Sequence, residues 1–360
     1  MNAAMRVIIL TPAAFPHLTG NAVSAERWRC ALSQQGVEVA VIETQNLSPH
    51  ALIDVLDHFR PHVVHAHHIS RAGALMLDSL VTKKYGRLPF VVSPGGTDIN
   101  WHAMQGEGMK IIGKTCRMAR NIIVQSPEIA RRVRELLPDL KERIVPVPKS
   151  FFWFGKEEFD LRAAAGCREG DVLFFMPAGI RPVKGNLECL HAMEKAHDVN
   201  PEIRVVFAGP ALDGGYAARF GQEIKALDAF AKWIVQVPPQ AMHAAYQGAD
   251  CVLNHSGSEG LSNSLLEAMA SGRPVLASDI PGNRWLVDDT NGRGPSAVLF
   301  DPGNRAAFVQ SVLRVARDHA FREFLSTNSR LRAASWPRPS EEARALLRVY
   351  ETAIGRQGEL

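Results

Sequence analysis

Short, continuous apolar runs recur along the chain. Each is closed by a loop carrying glycine, proline or histidine before a stretch of helical spacing begins. In the first half the runs are Arg6–Leu10, Val37–Ile42, His62–His68, Pro89–Ser93, Asn121–Gln125 and Arg143–Val147. In the second half they are Asp171–Met176, Ile203–Ala208, Trp233–Val237, Asp250–Asn254, Val275–Ala277 and Ala297–Phe300. A run that is apolar throughout, rather than alternating, predicts a strand buried on both faces, as in a parallel sheet. Between the runs the spacing predicts helices over about 22–35, 71–84, 105–119, 304–318, 321–331 and 340–354. Further helices end at Phe59, open at Ser126-Pro127-Glu128 and run from Asn186 to Ala196. Strand–helix alternation in both halves predicts an α/β class, with two Rossmann-like parallel-sheet domains facing a cleft. The aromatic run Phe151-Phe152-Trp153-Phe154 reads as the connection between them. It either packs the hinge or offers rings to a ligand.

One stretch in the second half carries the chemistry. It runs from Asn254 through His255-Ser256-Gly257-Ser258-Glu259-Gly260-Leu261-Ser262-Asn263 into Ser264–Ser271, and closes on Gly272-Arg273-Pro274. It reads as loop, helix, tight turn and strand. Ser262 or Asn263 can cap the helix, Gly272 can end it with a positive φ, and Pro274 blocks its continuation. Glu259 then lies beside the positive end of the helix and Glu267 within it. Free N–H groups at such an end suit phosphate, while a neighbouring carboxylate accepts from sugar hydroxyls. The plainer alternative is a capping Glu259 and a solvated Glu267. Upstream, Arg181 and Lys184 stand three residues apart on a glycine-bearing loop before a helix. A planar guanidinium and a mobile ammonium so placed make a pyrophosphate clamp.

The string Glu259-Gly260-Leu261-Ser262, followed by Leu265-Leu266-Glu267-Ala268-Met269-Ala270, Gly272 and Pro274-Val275, resembles the signature of the family 4 (group 1) retaining glycosyltransferases. Arg181-x-x-Lys184-Gly185 matches the cationic motif of the same family. The resemblance covers nearly the whole chain and implies the GT-B architecture. Residues 1–150 would form an acceptor domain, 151–335 a donor domain, and 336–360 a helix crossing back to the first. It gives Glu259 the donor sugar, Glu267 the ribose, and Arg181 and Lys184 the diphosphate that leaves. Backbone N–H groups near Gly260, Leu261, Ser262 and Asn263 would assist at the leaving group. Backbone around Val235, Gln236 and Val237 would read the base. Gly20 and Asn21 would approach the donor phosphates or the acceptor, the alternative being that Gly20 only makes a turn. The donor would be a UDP- or GDP-sugar, with no cofactor and no metal required, since front-face attack uses the donor phosphate as base.

Thr19–Ala25 and Gly95–Asn100 further resemble the subgroup that includes the animal glycosyltransferase 1 domain-containing proteins. The pattern from Gly20 to Trp28 is also similar to the selenosugar synthases. Gly95 departs from the family, which commonly carries histidine there. The acceptor is thus an alcohol or, alternatively, a sulfur, selenium or phosphate-type group. A non-catalytic nucleotide-sugar binder is the third reading. The acceptor itself, the linkage and the oligomeric state are not fixed by any motif.

Composition narrows the picture further. A length of 360 residues allows two domains, and a net charge of +4 without a long basic run gives no nucleic-acid signature. Five scattered cysteines without a CxxC pair predict a reduced, cytoplasmic chain. Met1–Leu10 is too short for a signal peptide and no apolar run approaches a membrane span. Lys110, Lys114, Arg117 and Arg120 fit either a solvated helix face or a peripheral contact at the inner face of a membrane. His65, His67 and His68 cluster at a strand end, but no further ligands converge on them to make a metal site. Asp288-Asp289 reads as a surface loop.

Overall fold

Twelve parallel strands take up the apolar runs in a computed structural model of the chain, which describes residues 4–100, 102–287 and 294–355. The Asp288-Asp289 pair lies outside the described residues. Two units divide the chain. One holds everything up to Ser150 together with the chain from Pro337 onward, and the other is Phe151–Trp336.

The first unit contains β1 (Arg6–Thr11), β2 (Glu38–Glu43), β3 (Val63–His67), β4 (Phe90–Ser93), β5 (Asn121–Val124) and β6 (Ile144–Pro146), ordered β2-β1-β3-β4-β5-β6. Every neighbouring pair is parallel, with Ile9 facing Val41 on one side and His65 on the other. The strand order reverses between β1 and β3. One face is covered by Leu52, Leu56, Ile112, Cys116 and Val133 from the flanking helices. On the other, Trp28 and Leu32 of helix Gly20–Ser33 pack with Leu346, Val349 and Tyr350 of helix Pro339–Gly355.

The second unit contains β7 (Val172–Pro177), β8 (Ile203–Ala208), β9 (Ala231–Ile234), β10 (Cys251–Asn254), β11 (Val275–Ser278) and β12 (Ala297–Phe300), ordered β12-β11-β10-β7-β8-β9. These neighbours are parallel too. Its order reverses between β7 and β10. Such a reversal parts the two following loops and opens a crevice at the carboxyl ends of the strands. Phe151 and Trp153 pack with Trp336 and Tyr246 inside this unit, so these two rings of the aromatic run lie half-buried against its core.

Some elements differ from the sequence expectation for local reasons. Helix Gly20–Ser33 begins two residues earlier than its apolar spacing, because Thr19 Oγ1 accepts from Ala22 N at 3.2 Å. Gly20 and Asn21 therefore sit in a helical first turn rather than in the loop. The helix expected over 71–84 is instead a 3₁₀ turn, Gly73–Leu77, followed by helix Ser79–Tyr85. Asp78 interrupts it by taking Leu80 N at 2.9 Å, an N-cap competing with continuation. β9 stops at Ile234, leaving Val235–Val237 in the next loop. Among the described residues no helix is long and apolar enough to cross a membrane. On the basic helix Gly106–Met118, Lys110 bonds Glu107 and Arg117 bonds Asp139.

Candidate active site

The two loops that flank the strand-order reversal in the second unit are tied to each other. After β7 the chain passes Arg181 and Lys184 and enters helix Asn186–Val199 through Gly185. After β10 it passes Ser256 and Glu259 and enters helix Asn263–Ala270. Gly257 N donates to Val183 O at 2.9 Å across the two loops. Gly185 is required there twice over. Its φ is +62°, and a Cβ would lie 2.5 Å from His255 O.

Glu259 is the centre of the arrangement. Its Oε1 accepts from Lys184 Nζ at 2.5 Å, Ser256 Oγ at 2.7 Å and Asn254 Nδ2 at 3.1 Å. Burial pushes this carboxyl up, but Lys184 and the two hydroxyl and amide donors outweigh it and hold the group below the ordinary glutamate range. Glu259 is thus an anion at neutral pH. Arg181 starts the same loop, its backbone N–H donating to Asn186 Oδ1 at 3.2 Å.

Ser262 occupies the N-cap position but its hydroxyl makes no cap bond. It accepts from Asn254 Nδ2 at 3.2 Å and pairs with Ser264 Oγ at 2.9 Å. Ser262 therefore does not cap the helix through its side chain, because the hydroxyl is used by the network behind Glu259. Asn254 is itself held by Asn283, whose Nδ2 donates to Asn254 Oδ1 at 3.2 Å and Ser278 O at 3.1 Å. Gly260, Leu261 and Asn263 are half-buried around this turn. Glu267 is also half-buried, and its Oε2 accepts from Tyr246 OH at 2.9 Å.

In the loop after β9 the two candidate base-reading residues part. Val235 is 58% exposed, whereas Val237 is 2% exposed and belongs to the core, so only its backbone can meet a ligand. Asn254 and Ser256 lie in the central stretch, but no local pattern gives either of them, or Asn283 or Tyr246, a place in this network. Ser256 stands three residues before Glu259 within the motif. Tyr246, on the separate helix Met242–Gly248, gives no local signal.

Gly20 and Asn21 belong to the first unit. Asn21 faces Gly95, where a Cβ would lie 2.9 Å from Asn21 Oδ1 and 2.9 Å from His68 Cδ2. His68 therefore fills the space a side chain at 95 would need. It takes φ +85° and bonds Thr97 Oγ1 through Nε2 at 3.1 Å. Asp98 organises the same loop, accepting from the backbone N–H of Ile69, Gly95 and Ile99.

His65 and His67 are packing residues. His65 stacks on Trp28 and bonds Tyr350 OH and Ser93 Oγ, while His67 meets Trp28 edge-on and bonds Ser93 Oγ. Burial holds His65 down near pKa 3 and drives His67 well below its ordinary value as well. Both rings are expected to stay neutral from pH 8 to pH 5. A proton NMR titration of the imidazole C2–H signals checks this, and a midpoint near 6.5 for either ring would contradict it.

Comparison with known proteins decides the family. Residues 157–332 match the model described as "Glycosyl transferases group 1", and residues 2–149 match "Glycosyl transferase 4-like domain". The chain belongs to the group 1 glycosyltransferases. A relative is the glycosyltransferase 1 domain-containing protein 1 of Xenopus tropicalis, 29% identical over 207 residues, or 56% of this chain and 60% of that protein. Another is the phosphatidyl-myo-inositol mannosyltransferase of Mycobacterium tuberculosis, 29% identical over 194 residues, or 52% of this chain and 49% of that protein. The aligned part thus spans about half to three-fifths of these relatives' own length.

Solved structures share the fold across almost the whole chain. A sucrose-phosphate synthase from Thermosynechococcus elongatus superposes with a TM-score of 0.80 at 15% identity, covering 98% of this chain and 99% of that one. HepE of Anabaena, solved with UDP and glucose, superposes with 0.76 at 16% identity, covering 97% and 100%. This group 1 glycosyltransferase chain therefore has the GT-B fold class, two six-stranded parallel sheets with flanking helices.

Proposed function

We propose that the chain is a retaining glycosyltransferase that moves a sugar from a UDP- or GDP-sugar to an acceptor hydroxyl. The observation that carries this reading is the meeting of the Arg181–Lys184 loop with the Glu259 loop at the reversal between β7 and β10, with Lys184 bonded to Glu259. In this scheme the second unit takes the donor and the first unit the acceptor. Arg181 and Lys184 hold the diphosphate and stabilise the charge it gains as the bond to the sugar's anomeric carbon breaks. Backbone N–H groups from Gly260 to Asn263 assist there. Glu259 accepts from the sugar's hydroxyls, and Glu267 from the ribose. Val235 and the backbone of Val237 lie at the base. Gly20 and Asn21 approach the donor phosphates or the acceptor.

The acceptor oxygen attacks from the face the diphosphate leaves, and its proton passes to the departing phosphate oxygen. No protein nucleophile takes part. The two cations neutralise the diphosphate, so the scheme requires neither metal nor cofactor. The five cysteines are free thiols, which suits a reducing, cytoplasmic setting.

Retention is expected in the first-formed product. With UDP-glucose or GDP-mannose and water as the slow acceptor, proton NMR recorded before mutarotation should show the α-anomer released from the α-linked donor. Release of the β-anomer would contradict the mechanism.

A further inference from the structure

We infer that Tyr246 is a positioning residue for nucleotide binding, acting through the Glu267 carboxylate. The inference rests on the proposed ribose role of Glu267. Tyr246 is fully buried, and its ring is fixed by Phe175 at 5.5 Å and Trp153 at 5.9 Å between centroids. Its hydroxyl donates to Glu267 Oε2 at 2.9 Å. A buried phenol in contact with a carboxylate stays protonated, since burial and the negative charge both oppose ionisation. It is therefore a permanent donor on a rigid ring.

Glu267 stands on the first turns of helix Asn263–Ala270, and its side chain has three rotatable bonds to order. One bond to Oε2 from an immobile partner fixes the plane of the carboxylate. A planar acceptor held in advance binds vicinal hydroxyls without the entropic cost of ordering itself. Phenylalanine would fill the same space and supply no such bond.

The test compares binding of UDP with that of 2′,3′-dideoxy-UDP, or the matching GDP pair if that is the base the wild type binds. Isothermal calorimetry is run on wild type, Glu267→Gln and Tyr246→Phe. Wild type should prefer the ribonucleotide by roughly tenfold or more, as for hydrogen bonds to a charged group. Y246F should lose most of that ratio while binding the dideoxy nucleotide as wild type does. A general packing defect would weaken both nucleotides alike. An intact ratio in Y246F, with the ratio present in wild type and lost in E267Q, overturns the inference alone. Equal binding of both nucleotides by wild type removes the ribose reading, and the inference with it.

A second measurement serves if Y246F does not fold. The chain has four tyrosines, so 3-fluorotyrosine-labelled wild type gives four ¹⁹F signals, assigned with phenylalanine variants of Tyr85, Tyr216 and Tyr350. The Tyr246 signal should move further with UDP than with its dideoxy analogue. Identical movement overturns the inference.

Discussion

Glu259→Gln should lower the rate of sugar transfer by on the order of 10²–10³, the usual scale for removing one preorganised polar contact from a reacting centre. Nucleoside diphosphate should bind at least as tightly as to wild type. Glu259 holds Lys184 at 2.5 Å and so competes with the diphosphate for that ammonium. Glutamine keeps the size of the side chain and an acceptor for Ser256 and Asn254, but releases the cation. Steady-state kinetics with calorimetry separates the two effects. Transfer at the wild-type rate would remove Glu259 from the mechanism.

The same change has a signature in stability. The folded pKa of Glu259 is below its ordinary value, so the ionised group contributes stability above about pH 4.5. That contribution is lost as pH falls through the depressed folded value. E259Q lacks it, and the acid side of its stability profile should be flatter.

Glu342→Ala should cost about 3–5 kcal/mol, the range for breaking a buried ion pair by deleting one partner. The melting temperature of the first unit should fall by on the order of 10 °C. Glu342 is wholly buried and accepts from five groups of the first unit. Arg27 donates through Nε at 3.2 Å and Nη2 at 3.1 Å, and Trp28 Nε1 and Gln125 Nε2 donate at 2.6 Å each. The backbone N–H and hydroxyl of Ser150 complete the set.

Alanine would remove the carboxylate that pairs with Arg27, a guanidinium itself only 2% exposed. It would also leave Trp28, Gln125 and Ser150 with unmatched donors. Ser150 is the last residue of the first unit before the chain leaves it, and Glu342 lies shortly after the chain returns. One carboxylate therefore fastens both ends of the excursion to the first unit. Glu342→Gln, which keeps the shape and one acceptor, should lose less. Differential scanning calorimetry reads both. An alanine variant melting within about 2 °C of wild type would show the network to be energetically idle.

The strand runs, several of the crossover helices and the central motif were legible because each is set by local pattern. Continuous apolar runs gave the parallel strands, and Gly272, with φ +66°, ends its helix as its place before Pro274 implies. What escaped was decided by partners distant in sequence. Ser262 reads as a cap from its neighbours alone, yet Asn254 and Ser264 take its hydroxyl. The histidine cluster carried no metal signature in sequence, but its packing role was hidden, because Trp28, Ser93 and Tyr350, which hold His65 and His67, are distant along the chain. Nothing local in Glu342 or Tyr246 announces a buried network, because their partners lie up to 315 residues away. The start of helix Gly20–Ser33 was missed for the opposite reason. A single hydroxyl at Thr19 overrode the apolar spacing.

In the proposed mechanism the second unit holds a nucleotide-diphosphate sugar on Lys184 and its neighbours. The most direct test is a thermal-shift panel of UDP, GDP, ADP and their sugars on wild type and Lys184→Ala side by side. Ligand that binds only the folded state raises the melting temperature with affinity. One nucleotide family should shift wild type, and the shift should be lost in K184A. No shift with any nucleotide, or the same shift in both proteins, would contradict that mechanism.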